Sequence, residues 1–204
     1  MPSYATFALS VLALVLFHGT ACAQNGTFGL SGLLYFPPEE DAFLSPILAA
    51  DRGALHLEAR YNYEDLRTGS MFVGRNFAIG DELVLTATPM LGLVIGQTDG
   101  IAPGLELDLA WRSLELYSES EYVVRLDDVD EDFFYQWLEA TVAPASWIRF
   151  GLVTQRTRTI ETGLDLERGL LLESTYRSLS VGVDWFNPDR EDDQYFVLSA
   201  GYEF

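Results

Sequence analysis

The last eleven residues, Gln194 to Phe204, place Phe196, Leu198, Ala200, Tyr202 and Phe204 at every second position, with Tyr195, Val197, Ser199, Gly201 and Glu203 between them. Such alternation belongs to an extended strand with two different faces, because successive side chains point to opposite sides. The stretch is also as long as a tilted strand must be to cross a bilayer, about 9–11 residues. After residue 24 nothing approaches the roughly eighteen continuous apolar residues of a spanning helix. If this chain enters a membrane, it enters as a closed barrel, since only helices and closed barrels satisfy every backbone polar group in lipid.

The same pattern repeats upstream from Gly53. Leu55, Leu57, Ala59, Tyr61 and Tyr63 alternate with His56, Glu58, Arg60, Asn62 and Glu64. Leu83, Leu85, Ala87, Leu91, Leu93 and Ile95 form one face of a later strand, and Leu105, Leu107, Leu109 and Trp111 oppose Glu106 and Asp108. Ten strands are predicted between Gly53 and Phe204, with eight or twelve as alternatives because the second (to Ile79) and the eighth (to Tyr176) are weakly patterned. The short turns Gly80–Glu82, Arg112–Ser113, Pro144–Ser146 and Arg177–Ser178 alternate with longer, often acidic connections. Short turns on one side, longer loops on the other and an even strand number describe a transmembrane barrel. A soluble sandwich would also alternate, but it explains neither the loop asymmetry nor Trp111, Trp147, Trp185 and Tyr202 near strand ends. Residues 24–52 contain Gly and Pro without sustained alternation and read as a periplasmic lead-in, with a turn of helix from Asp41 to Ala49. Arg75 falls on the lipid face of the second strand. An arginine at the midplane costs about 2–4 kcal/mol, so a bulge or register change is expected there.

The closing stretch resembles the last strand of Gram-negative outer-membrane β-barrels, which end in Phe with apolar or aromatic residues at alternate positions before it. The resemblance implies an all-β, transmembrane, antiparallel up-and-down barrel in the outer membrane. It implies that Tyr202 and Phe204 are read by the barrel assembly machinery, and that outer-membrane lipids and lipopolysaccharide surround the protein. The front end agrees. The apolar run Ala5 to Phe17 is too short to span, and Ala21-Cys22-Ala23 before Gln24 fits a signal-peptide cleavage site, giving a signal at residues 1–23. A lipoprotein reading at Cys22 lacks the usual Leu three residues earlier. Cleavage after Ala23 leaves no cysteine, which removes disulfides and thiolate chemistry. The net charge of −19, with no lysine, opposes nucleic-acid binding.

Alternation assigns an inward face holding His56, Glu58, Arg60, Glu64, Glu106, Asp108, Glu115, Glu119, Glu121, Glu139, Arg149, Glu173 and Asp184. Carboxylates inside a narrow barrel must be paired, hydrogen-bonded or hydrated. Two readings follow: an ion-pair plug, or a hydrated pore whose carboxylates favour cations. The function expected is a small porin-like channel for small solutes with cation preference. A closed structural or surface-interaction barrel is the alternative, and an outer-membrane lipid-directed enzyme a second one. His56, two positions from Glu58, is the mature chain's one histidine, and no serine or nucleophile elbow accompanies it, so no catalytic residue is assigned. Asp128-x-Asp130-x-Asp132 lacks the glycine of a calcium loop, and no metal or cofactor is expected from these motifs. Arg156 and Arg158 extend a lipid face past its outer end, where they would meet lipopolysaccharide phosphates or simply snorkel.

Overall fold

The computed structural model describes residues 26–38, 40–126, 131–159 and 163–204. The expected signal peptide and residues 127–130 of the acidic loop lie outside the described residues. The strands are β1 Thr27–Phe36, β2 Phe43–Arg52, β3 Leu55–Tyr61, β4 Gly69–Arg75, β5 Phe77–Ile79, β6 Leu83–Ile95 and β7 Gly100–Trp111. They continue with β8 Leu114–Arg125, β9 Phe133–Ala145, β10 Ile148–Thr159, β11 Gly163–Tyr176, β12 Leu179–Phe186 and β13 Tyr195–Glu203. Neighbouring strands pair antiparallel, with β4 and β5 both pairing β6, and β1 pairs with β13 to close the cylinder. Closure leaves only the three residues of β5 paired on one side alone, and removes the long open edges that lipid does not tolerate.

The barrel has twelve strands rather than ten, because β4 and β5 are two pieces of one. Both face β6 in a single register, Gly74 opposite Met90 and Phe77 opposite Ala87. The gap falls at Asn76, and β6 carries Thr88 and Pro89 there; a proline has no N–H to give the ladder. The bulge or register change expected at Arg75 is therefore absent. Arg75 pairs with Leu55, the first residue of β3, so it sits at a membrane edge rather than the midplane, and its guanidinium stands 5.3 Å from the Phe77 ring. Snorkelling from that position avoids most of the midplane cost.

The two strands that sequence reading overlooked are β1 and β2. Where a lead-in was expected, Thr27–Phe36 and Phe43–Arg52 are strands, and Asp41–Ala49 holds no helix. Phe28, Leu30 and Phe36 point out to the lipid side, while Tyr35 and Ser45 are buried inside. Pro46 interrupts the ladder opposite Gly32, and glycines dilute the apolar face, which is why the alternation is faint. One turn also moves: β9 runs through Pro144 to Ala145, so Ser146–Trp147 makes the reversal.

The short turns gather with the C-terminus at one end of the barrel, and the longer connections lie at the other. At the short-turn end the Phe204 amide donates to the Phe28 carbonyl at 2.8 Å, and the two rings sit 5.6 Å apart, sealing the seam. Trp111, Trp147, Tyr176 and Tyr202 are exposed around this end, while Tyr61, Tyr122 and the stacked Trp185–Phe196 pair ring the other. Between them the outward face is apolar, Leu91, Leu93, Leu152, Leu170, Leu172 and Leu198 among its exposed residues. Two aromatic girdles bounding an apolar band are the outer dress of a membrane barrel. The buried core is therefore the lumen.

Candidate functional site

Inside the barrel the sequence-assigned residues do not spread into an even ring. They gather into two ion-pair clusters. In the first, β3 supplies Glu58 and Arg60 and β8 supplies Glu119 and Glu121, all four buried. Arg60 donates to Glu58 and, at 2.5 Å, to Glu119, and lies 3.5 Å from Glu121 and 3.8 Å from Glu64. One guanidinium thus faces four carboxylates. It is sandwiched between the rings of Tyr63 and Phe72, each centroid 4.5 Å away, a desolvated arrangement that suits the weakly hydrated guanidinium. Phe72 can lie there because Gly92 opposite has no side chain; a Cβ at Gly92 would come within 2.4 Å of the Phe72 ring. Tyr63 and Tyr117 hydroxyls donate to Glu119 at 2.9 and 3.3 Å, and Ser70 donates to Glu64 at 2.6 Å.

The second cluster stands on β9, β10 and β11. Arg149 donates to both Glu173 oxygens at 2.8 and 3.0 Å and to Glu139 at 2.7 Å, and the Trp137 indole donates to Glu139 at 2.9 Å. Between the clusters lies a cavity of about 200 Å³, lined by Glu119, Glu139, Arg149, Glu173 and Asp184 together with small residues such as Ser180, Gly182, Ser199 and Gly201. The small residues come from the short-turn halves of β12 and β13, whose inward positions there are Ser180, Gly182, Ser199 and Gly201. Ser31, Ser180 and Gly201 also line a wider vestibule at the short-turn end, about 540 Å³, so the cavity opens that way.

Toward the loop end the lumen is narrowed by aromatic packing. Phe186 is fully buried, stacked on Tyr195 at 4.9 Å and edge-on to Trp137 at 5.6 Å; Tyr35 stacks on Phe43 at 4.7 Å. Val153 and Val197 complete this layer. Above it a second vestibule of about 360 Å³ is lined by Pro37, Pro38, Asp165, Glu167, Asn187 and Tyr195. Tyr195 donates to Glu167 at 2.6 Å there. Nearby, Arg168 of β11 donates to Asp189 of the loop before β13 at 2.5 Å, which holds the exposed Asp189 carboxyl below its usual range.

Of the remaining assigned residues, Glu106 turns toward His56. Asp108 and Glu115 stand nearer the short-turn mouth on β7 and β8 and join neither cluster. Arg156 and Arg158 share the outward parity of Phe150 and Leu152, and the Arg156 guanidinium lies 5.9 Å from the Phe134 ring. Sequence reading missed Asp51, Asn76 and Thr88, which form a hydrogen-bonded chain: Thr88 donates to Asn76 at 2.7 Å, and Asn76 to Asp51 at 2.6 Å. Asp51 accepts from His56 Nδ1 at 2.9 Å. Had β2 been read as a strand, the pairing of Asp51 with His56 would have shown it.

No protein-family model matches the chain, and no curated protein matches it in sequence. Among solved structures the KdgM porin is similar, with a TM-score of 0.61 at 10% identity over 86% of this chain and 99% of that one. A complex of the KdgM porin with disordered oligogalacturonate gives the same 0.61, 10%, 86% and 99%. The NanC porin has a TM-score of 0.56 at 10% identity, over 87% of this chain and 98% of its own. The fold is that of an outer-membrane porin barrel. At such identity the likeness reaches the architecture alone, while the lumen chemistry belongs to this sequence.

Proposed function

We propose that this barrel is a small porin-like channel of the outer membrane whose lumen favours small cationic solutes over anionic ones. The observation that carries the reading is the mid-lumen cavity of about 200 Å³, whose lining holds the four carboxylates Glu119, Glu139, Glu173 and Asp184 against one guanidinium, Arg149, with Glu119 already paired to Arg60. Excess carboxylate in a low-dielectric passage attracts cations and repels anions. Vestibules at both mouths continue the path, and the aromatic layer around Phe186 is its constriction. The oligogalacturonate of the KdgM complex is a chain of carboxylated sugars, and an acidic lumen does not suit it, so that solute is not carried over.

A second reading is favoured by one observation. Phe186, Val153 and Val197 are fully buried across the loop-end third, as they would be in a closed barrel whose ion pairs only fill space. Uptake into vesicles separates the two. Purified, refolded protein in liposomes should admit labelled putrescine faster than labelled galacturonate. Equal uptake of both would remove the cation preference, and uptake of neither above empty liposomes would favour the closed barrel.

A further inference from the structure

His56, Glu58 and Glu106 meet at a point where neither ion-pair cluster uses them fully. One ligand-capable atom of each lies within 4.8 Å of the other two. His56 is buried, with 6% of its surface exposed, and its two ring nitrogens have different surroundings. Nδ1 is bonded to Asp51 at 2.9 Å, and Asp51 is held in turn by Asn76. Nε2 is buried with no hydrogen-bond partner among the described residues, and the nearest Glu58 oxygen, Oε2, is 3.6 Å away. That spacing is close to the edge of a tetrahedron with metal–ligand bonds of about 2.0–2.1 Å, roughly 3.4 Å.

The carboxylates are available in the same sense. Glu58 gives Oε1 to Arg60 and leaves Oε2 facing His56. Glu106 accepts only a long hydrogen bond, 3.5 Å, from the Tyr117 hydroxyl among the described residues. Arg60 already serves four carboxylates, and Glu106 has no ion-pair partner of its own among the described residues. The backbone helps: Gly74 of β4, paired with His56 on one side and Met90 of β6 on the other, puts no side chain of its own beside the imidazole.

We infer that His56, Glu58 and Glu106 form a binding site for a divalent first-row transition cation, with water from the lumen completing the shell. An imidazole with two carboxylates suits zinc and its neighbours rather than calcium or magnesium, which prefer all-oxygen shells. Asp51 acts as a positioning residue: its bond to Nδ1 fixes the tautomer and aims Nε2, as carboxylate–histidine–metal arrangements do. The two carboxylates neutralise the ion's charge in a lumen already rich in acid. The site lies in the short-turn half of the barrel and does not depend on whether the lumen conducts.

The competing account of the same atoms is an imidazolium paired with Asp51 and Glu58, needing no metal. Metal titration decides. Folded protein in detergent, stripped with chelator, should take up one equivalent of Zn²⁺ by elemental analysis after desalting, and Co²⁺ should give the visible d–d bands of a low-coordinate N,O site. Glu106→Gln, the least buried of the three and outside the Arg60 cluster, should abolish the stoichiometric band while the barrel keeps its heat-shifted gel migration. Asp51→Asn should weaken Zn²⁺ binding by about 10–100-fold. Absence of a tight equivalent in folded wild-type protein would overturn the site. So would an unchanged equivalent in folded Glu106→Gln, because the ion would then sit on the acidic loops.

Discussion

At the scale of single residues, Arg60 has the highest stakes in the molecule. Its guanidinium is buried between Tyr63 and Phe72 and is the cation shared by Glu58, Glu64, Glu119 and Glu121. Removing one partner of a buried ion pair leaves uncompensated charge, so Arg60→Met should destabilise the folded barrel by about 3–5 kcal/mol in denaturant titrations followed by tryptophan fluorescence. Removing a carboxylate is different. Glu121 Oε1 and Glu64 Oε2 find no donor among the described residues, so Glu121→Gln should leave stability within about 1 kcal/mol of wild type or raise it. A large loss in Glu121→Gln would show that the cluster needs all four charges. Gly92→Ala tests the same site through shape. The new methyl would displace the Phe72 ring and open the sandwich around Arg60, and it should cost about 1–3 kcal/mol as overpacking does. Alternation alone placed Glu58, Arg60, Glu119 and Glu121 inside, but it could not tell which acid finds which base. That choice depends on strand stagger around the cylinder, a long-range quantity absent from any local pattern.

At the scale of elements, β1 and β2 decide whether the cylinder closes. β1 pairs with β13 from Gly29↔Glu203 to Phe36↔Phe196, so without the first hairpin β13 would expose a bare edge to lipid. A chain beginning at Gly53 should therefore fail to give a heat-modifiable compact form on a gel, whereas a true lead-in could be removed with the barrel intact. The closing strand was legible because its residues alternate without exception. The opening hairpin was not, because Pro46, Gly29 and Gly32 stand where apolar or polar markers were needed. The loop-length argument could not reveal the omission either, since a missing hairpin removes two strands at once and keeps the parity even. β4 and β5 show the converse. Arg75 suggested a distortion, and the strand does break, but at Asn76, where Pro89 on β6 withholds an N–H and the freed side chain ties Asp51 to Thr88. Asn76→Ala would remove the acceptor of Thr88 and one of the two donors to Asp51, and should cost about 1–3 kcal/mol.

At the scale of the whole molecule, the barrel is apolar outside, acidic in mid-lumen, and narrowed by aromatics toward the loop end. The outside was readable from sequence because lipid imposes one rule on every strand. The inside was readable only as a sum of charges, and its division into cavity, clusters and constriction comes from the fold. If the aromatic layer is the constriction, Phe186→Ala should enlarge unitary conductance without changing the sign of selectivity, while Glu139→Gln should weaken selectivity with little change in size. The most direct test of the central claim is the reversal potential of the refolded protein in a planar bilayer under a potassium chloride gradient. The acidic-channel account predicts discrete current steps with a reversal potential displaced toward that of potassium, shrinking in Glu139→Gln. A displacement toward chloride, or silence from protein shown to be inserted, would contradict it.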